Sequence, residues 1–183
     1  MTNQTTPSNE PVWETWDSAL LKSMTLGADI QAAVHAGKIP RITKVACIPR
    51  GGLYVVNILA RQFAISGDNV LMISMSRFDR ENNTKSGNFK IGQMPLKSDV
   101  EGEVILLAEE IFDTCETVEK AVEVLMNLGA KKVITAALHY KPLQNKYSFK
   151  PDFYISATDG WVHYPWEVID PIGTLHQQSI VKN

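Results

Sequence analysis

The sequence has few cysteines and no long apolar run, and both absences narrow the class of protein. It holds two cysteines in 183 residues. Two thiols without neighbours at metal spacing form no disulfide framework, so we expect a reducing, cytoplasmic setting. No apolar run approaches the ~20 residues that cross a bilayer, which predicts no membrane span. The histidines show no metal spacing either and are expected on the surface or in packing roles: His35, His139, His163 and His176.

A strong charge of one sign is also missing. The 18 basic and 20 acidic residues give a formal net charge of −2. Such a chain has no strong attractive field for nucleic acid, so we expect no nucleic-acid partner. A small phosphorylated ligand needs only a local site and is compatible with this charge. The length suits one domain, and the polar start predicts a disordered tail over 1–11 before a single domain over 12–183.

The two common phosphate-loop motifs, G-x-G-x-x-G and G-x-x-x-x-G-K-[ST], do not occur. Short apolar runs instead alternate with stretches of helical periodicity. We predict strands over 44–48, 69–75, 104–107, 132–140 and 152–156. A first helix is predicted over 17–36, with Asp17 as its N-cap. Two further helices are predicted, one after Gly52 and one from Thr117 onward. This alternation predicts an α/β domain with a mainly parallel sheet flanked by helices.

What the sequence does contain is a cluster of acidic and hydroxyl residues after the strand predicted at 104–107. Glu109 and Glu110 come first, Asp113 follows, and Thr114 leads into the next helix. Ligands bind at the carboxyl ends of strands in open α/β sheets. Two carboxylates there suit sugar hydroxyls or Mg²⁺, or they are a solvated strand end. The helix start is either a phosphate site or a simple N-cap made by Asp113 or Thr114.

A second turn between a strand and a helix is basic. Arg50, Gly51 and Gly52 follow the strand predicted at 44–48. Glycines let the backbone approach an anion closely, although Gly-Gly before a helix is more often only a turn. One acidic and one basic turn together indicate a ligand with both phosphates and sugar hydroxyls.

A long polar connection occupies residues 77–99. It carries five basic side chains, and Phe89 and Ile91 alternate with polar neighbours, which predicts a small hairpin inside it. Long connections in compact domains are commonly lids. We therefore expect a flexible lid loop over 77–99.

These segments together resemble a known family. The acid pair followed by Asp-Thr-x-x-Thr resembles the phosphoribosyl pyrophosphate signature of type I phosphoribosyltransferases, and residues 48–52 resemble their pyrophosphate loop. Lys141-Pro142 and the aromatic segment 161–167 are most similar to the bacterial xanthine-guanine branch. The resemblance implies the type I fold with a small hood. It also implies purine salvage, in which a phosphoribosyl group moves to guanine, xanthine or hypoxanthine, and a homodimer or homotetramer.

The resemblance also implies a role for each matching residue. Glu109 and Glu110 would hold the ribose hydroxyls directly or through Mg²⁺, and Asp113 would be the catalytic acid/base partner near purine N7. The site for phosphoribosyl pyrophosphate would comprise Arg50, Gly51, Gly52, Glu109, Glu110, Asp113, Thr114, Cys115, Glu116 and Thr117. The base site would comprise Lys141, which donates to O6, Trp161, which stacks on the base, Val162 and Glu167.

Two positions depart from the family pattern. The acid pair is Glu109-Glu110, where Asp-Asp is common, and Cys115 stands where glycine commonly follows Asp-Thr. Glycine leaves bare backbone for a phosphate and tolerates positive φ. The departures keep a second hypothesis open, namely a non-enzymatic regulator of the same fold that binds a nucleotide or phosphoribosyl pyrophosphate.

Overall fold

A sheet of five strands forms the centre of the protein. The computed structural model describes residues 9–79, 84–144 and 149–167. None of the helices in these ranges is long and apolar enough to cross a membrane. In chain order the elements are β1 (Val12–Trp13), α1 (Trp16–His35), β2 (Lys44–Cys47), α2 (Gly52–Gln62), β3 (Val70–Met72), β4 (Met75–Asp79), β5 (Thr84–Ile91), α3 (Lys97–Val100), β6 (Val104–Phe112), α4 (Glu116–Asn127), β7 (Lys132–Tyr140), β8 (Phe153–Ala157) and β9 (Val162–His163).

The central sheet has the strand order β3-β2-β6-β7-β8. Every neighbouring pair in it is parallel. Two small sheets accompany it: β1 pairs with β9 in parallel, and β4 pairs with β5 in antiparallel orientation. The predicted α/β architecture, with a mainly parallel sheet flanked by helices, is confirmed.

Helices cover both faces of the sheet, and β6 shows how the sequence divides between them. Alternate strand residues point to opposite faces. Leu106 and Ala108 join the core cluster under α1 and α2, whereas Ile105 and Leu107 join the cluster under α4. Strand β6 is therefore buried on both sides, and its carboxyl end opens at the edge where the polar cluster lies.

The first helix begins earlier than the sequence predicted. Its N-cap is Thr15, whose hydroxyl accepts the Ser18 N–H at 3.1 Å, while Ser18 Oγ accepts the Thr15 N–H at 2.9 Å. This reciprocal capping box satisfies two donors that the helix cannot. Asp17 lies one residue inside the helix, in its first turn, so its assignment as the cap was wrong.

Strand β6 is longer than predicted, and it contains the acid pair. Pairing with β2 stops at Leu107, but pairing with β7 continues through Glu109 to Phe112. The apolar run that defined the prediction ended where the carboxylates begin. The backbone keeps its extended conformation because β7 supplies partners for four more residues. The prediction of a strand that ends at residue 107 was wrong.

The segment 77–99 contains regular structure. Strands β4 and β5 form the predicted hairpin, and α3 follows it. Residues 80–83, between the two strands, and residues 1–8 of the predicted tail lie outside the described ranges. Flexibility of the segment therefore stays a prediction, as does disorder of the tail.

Candidate functional site

The acid pair packs against the turn between β2 and α2. Ile48 donates its N–H to Oε1 of Glu109, which is buried. A Cβ on Gly51 would overlap the Glu110 carboxyl group, and one on Gly52 would lie 2.5 Å from Oε1 of Glu109. The two glycines are needed here for space. The peptide bond between Pro49 and Arg50 is cis.

Burial raises the pKa of both carboxyl groups. The pKa of Glu109 is well above its ordinary value because of desolvation and the neighbouring charge of Glu110. Desolvation is also the main reason that the pKa of Glu110 reaches about 7, with a further contribution from Glu167. Oε2 of Glu110 is buried and has no hydrogen-bond partner among the described residues. Two crowded carboxylates with an unsatisfied oxygen fit a hard divalent cation or the hydroxyls of a sugar.

A metal here would need oxygen ligands from elsewhere. No group of three or more metal-ligating side chains occurs within the ranges that the structure describes. Mg²⁺ commonly takes one or two carboxylates and completes its shell with water and substrate phosphates. The pair Glu109–Glu110 suits that mode of binding.

The second turn leads from β6 into α4. Cys115 is the N-cap of α4, in the left-handed conformation at φ 62°, and its side chain makes no capping hydrogen bond. The alternative in which Asp113 or Thr114 caps the helix is therefore wrong, and the helix begins at Glu116 rather than Thr117. A helix start without a side-chain cap can donate its N–H groups to a bound phosphate.

The Cys115 side chain does not occupy the open side of this turn. It is 2% exposed and belongs to the core cluster under α4. Burial, together with the charges of Asp113 and Glu119, raises the pKa of its thiol to about 12. The thiol is consequently inert at neutral pH. Thr114, Glu116 and Thr117 are half-buried around it.

A third group of predicted residues meets beside Asp113. Nζ of Lys141 lies 3.8 Å from Oδ1 of Asp113 and 5.4 Å from the centroid of the Trp161 ring. Lys141 is buried, whereas Trp161 is 64% exposed. Oδ1 of Asp159 accepts the Leu143 N–H at 2.9 Å, so it ties the Lys141 loop to the Trp161 segment. Sequence reasoning had not assigned Asp159 a role.

Three further residues that were predicted to bind the ligand lie at separate places, namely Val162, Glu167 and Arg50. Val162 is buried and pairs with Val12, which fixes the backbone next to Trp161. Oε2 of Glu167 accepts the Tyr164 N–H at 3.3 Å, and its charge reaches Glu110. Arg50 is exposed at the start of the first turn. Glu167 therefore lies toward the acid pair, and its predicted contact with a base stays a prediction.

A buried polar network behind the acid pair was not predicted. His139 Nδ1 lies 2.7 Å from the Tyr164 hydroxyl, and that hydroxyl donates to the main-chain oxygen of Glu110 at 2.6 Å. Burial alone would raise the pKa of Glu14, but hydrogen bonds from His139, Lys22 and Ser18 lower it to about 2. The signal in the sequence was weak. It consists of isolated polar residues inside apolar segments, which periodicity does not connect.

Most of the chain matches the model of a known protein family. Residues 27–170 match the family model described as "Phosphoribosyl transferase domain". The chain belongs to this family. Over 70 residues it is also 33% identical to a ribose-phosphate pyrophosphokinase of Pyrococcus furiosus. That match covers 38% of this chain, which spans about a quarter (24%) of the length of the curated relative.

Solved structures show the same phosphoribosyl transferase fold. A purine phosphoribosyltransferase from Pyrococcus horikoshii is 23% identical, with a TM-score of 0.70 over 90% of this chain and 99% of that one. A Neisseria gonorrhoeae protein with bound ppGpp is 22% identical, with a TM-score of 0.71 over 88% and 92%. A Helicobacter pylori xanthine-guanine-hypoxanthine phosphoribosyltransferase is 22% identical, with a TM-score of 0.69 over 87% and 95%. The predicted family and its type I fold are confirmed.

Proposed function

We propose that the protein transfers the phosphoribosyl group of phosphoribosyl pyrophosphate to a 6-oxopurine base, giving a nucleoside monophosphate and pyrophosphate. The observation that carries this proposal is the meeting of Asp113, Lys141 and Trp161 beside the buried pair Glu109–Glu110. A base contacts its ribose through one bond, so a base site and a ribose site must adjoin. The Lys141 N–H donates to the main-chain oxygen of Phe112 at 2.9 Å, two residues after the acid pair, which supports such an arrangement.

On the ribose side, the two turns hold the parts of the substrate that do not change. Glu109 and Glu110 accept from the ribose hydroxyls, and the start of α4 binds the 5′-phosphate. Glu109 and Glu110 would hold Mg²⁺, which would supply positive charge to the pyrophosphate group. Arg50 and the backbone of Gly51 and Gly52 stabilise that group as its bond to C1′ breaks.

On the base side, Trp161 stacks on the purine and Lys141 donates to the oxygen at position 6. A base with an amine there would leave the Lys141 ammonium facing a donor, so the site selects 6-oxopurines over adenine. Asp113 accepts the proton from N7 of the base as N9 bonds to C1′ and pyrophosphate leaves with the electrons of the broken bond. The Val162 backbone and Glu167 complete recognition of the base edge.

The setting of this reaction follows from the same hypothesis. The segment 77–99 closes over the reacting centre and excludes water, which would otherwise capture the cationic ribose. We propose one catalytic domain over residues 12–183, a homodimer or homotetramer, and a cytoplasmic location where the substrates are found.

A turnover assay tests the activity. With phosphoribosyl pyrophosphate and Mg²⁺, we expect guanine, xanthine or hypoxanthine to react and adenine to fail. The second candidate function, a regulator that binds a nucleotide, draws support from the ppGpp bound to the Neisseria gonorrhoeae protein. Binding of phosphoribosyl pyrophosphate without turnover of any of the four bases would favour the regulator.

The substitution Asp113→Asn tests the assigned chemistry. We expect turnover to fall by ~100-fold or more, because Asn cannot exchange the proton. The melting temperature should change little, since the Asp113 side chain is 47% exposed. Asp29→Asn, at an exposed position of α1, is the matched control and should behave like the wild type. Unchanged turnover in Asp113→Asn would refute the role of this carboxylate.

A further inference from the structure

A chain of buried polar groups connects α1 to the strand that carries the acid pair. Nζ of Lys22 lies 3.3 Å from Nε2 of His139, and Nδ1 of the same ring lies 2.7 Å from the hydroxyl of Tyr164. That hydroxyl donates to the main-chain oxygen of Glu110 at 2.6 Å. His139 and Tyr164 are 1% and 2% exposed, so water does not compete for these bonds.

From His139 to Glu110 the hydrogen bonds donate in one direction. The single proton of the Tyr164 hydroxyl goes to a carbonyl, which can only accept, so its oxygen is left to accept from Nδ1–H of His139. Nε2 of the same ring lies 3.3 Å from Nζ of Lys22 and 3.2 Å from Oε1 of Glu14. Glu14 contacts Lys22 and compensates its charge. Bonds aligned in one direction polarise one another, which strengthens the last one.

The chain of hydrogen bonds ends in the part of β6 that no longer pairs with β2. Beyond Leu107 the strand pairs with β7 alone, and the carbonyl of Glu110 lies in this part. The carboxyl group of the same residue rests against Gly51 and keeps one buried oxygen unsatisfied. A shift of the Glu110 backbone would move that carboxyl group directly, because it lies only a few bonds away.

We propose that Tyr164, oriented by His139, is a positioning residue that fixes the Glu110 backbone and thereby aims the acid pair at the ribose and its cation. Tyr164 also follows β9, so the hydroxyl ties the segment that carries Trp161 to the strand that carries Glu110. This inference rests on the proposed function, in which the acid pair holds phosphoribosyl pyrophosphate with its cation.

Tyr164→Phe tests the role of the hydroxyl alone. The ring, which stacks on Trp166 at 4.8 Å, is kept. We expect the dissociation constants of phosphoribosyl pyrophosphate (calorimetry with Mg²⁺) and of Mn²⁺ (electron paramagnetic resonance with the same ligand) to rise about tenfold. Both are measured without a purine base and well below the melting temperature. A merely structural role would lower the melting temperature and leave both constants unchanged.

Tyr54→Phe is the matched control, because Tyr54 stacks on the same Trp166 indole, with ring centroids 4.5 Å apart. It should bind like the wild type. Wild-type affinity in Tyr164→Phe would overturn the positioning role and leave the proposed function standing. Failure of the wild type itself to bind would overturn the proposed function and this inference with it.

Variants at His139 test the same chain one step away, should Tyr164→Phe fail to fold. The side-chain amide of His139→Asn can donate to the Tyr164 hydroxyl as Nδ1 does, whereas His139→Leu cannot. We expect His139→Asn to keep most of the affinity and His139→Leu to lose about tenfold. Equal affinities in the two variants would overturn the proposal.

Discussion

Two turns join a strand to a helix at the same edge of the sheet, and they satisfy opposite demands. In the turn before α2, Gly51 has an ordinary φ of −61°, and its lack of a side chain makes room for the Glu110 carboxyl group. In the turn before α4, the backbone is left-handed at φ 62°, yet the residue there is Cys115. Glycine stands where space is short, and a side chain stands where the backbone favours glycine.

The two turns are constrained by different neighbours. The first turn must accommodate the acid pair, so its sequence depends on β6. The second turn bears a conformational cost of roughly 1–2 kcal/mol for a residue with a Cβ. Burial of the Cys115 side chain in the core under α4 offsets that cost. The turn before α2 is thus set by its packing against the acid pair, and the turn before α4 is anchored by the core.

The largest effect is expected from Gly51→Ala. The added methyl group overlaps the Glu110 carboxyl group, so either the turn or the acid pair must move. A displacement of about 1 Å at a catalytic group costs ~100-fold in rate, and we expect at least that loss in kcat/KM. Overpacking should also lower the free energy of unfolding by about 1–3 kcal/mol. Steady-state kinetics and urea unfolding measure the two effects.

Gly67→Ala is the control for this change. A Cβ at Gly67 has nothing within 4 Å and the backbone there is not left-handed, so both measurements should stay near the wild type. Wild-type kinetics in Gly51→Ala would mean that the acid pair and the turn do not press on each other.

An intermediate effect is expected from pH in the absence of ligands. The pKa of Glu110 rises from 4.5 to about 7 on folding, so between these values the folded protein holds more protons than the unfolded chain. Its contribution to stability is complete below pH 4.5 and is lost as pH rises through 7. At about 1.4 kcal/mol per pKa unit, we expect the free energy of unfolding to fall by roughly 2 kcal/mol between pH 5 and pH 8.

Urea unfolding at pH 5, 6, 7 and 8 measures this slope. Glu110→Gln removes one of the two groups with a raised pKa and should make the slope shallower, while Glu109 keeps the remainder. A wild-type stability that is level or rises over this range would show that the acid pair is not crowded in the way the structure indicates.

The smallest effect is expected from Cys115→Gly compared with Cys115→Ala. Both variants remove the thiol, and they differ in the Cβ that the left-handed backbone disfavours. We expect the Gly variant to be more stable than the Ala variant by about 1 kcal/mol. Affinity for phosphoribosyl pyrophosphate should be unchanged in both, because the Cys115 side chain is buried away from the open side. Urea unfolding and calorimetry provide the two readouts, and equal stabilities would refute a conformational cost at this position.

Much of the fold was predictable because it depends on local pattern. Strand β7 has the predicted bounds, since its apolar run is flanked by clear polar residues. The face of α4 that contains Val118, Ala121 and Leu125 is buried as its spacing predicted. The candidate site was also foreseeable in outline, because residues at the carboxyl ends of parallel strands must share one edge.

The features that could not be predicted depend on partners far away in the chain. The length of β6 is set by pairing with β7 rather than by its own apolar run. The space at Gly51 is set by Glu110, 59 positions later, and the bond from Tyr164 to Glu110 spans 54 positions. No periodicity in one segment encodes such contacts. The cap at Thr15 was a local signal, and a search for a reciprocal Thr-x-x-Ser pair would have found it.

The pairing of β1 with β9 has a consequence for the order in which the site is assembled during folding. Val12 lies beside Val162, so this small sheet closes a loop of nearly the whole described chain. Contacts between such distant residues form slowly, because much chain entropy is lost before they contribute. The acid pair and both turns lie before residue 118. The Trp161 segment, in contrast, is fixed in place only when β1 and β9 pair. Under the proposed function, a folding intermediate that lacks this closure would have the site for the sugar phosphate and not yet the site for the base.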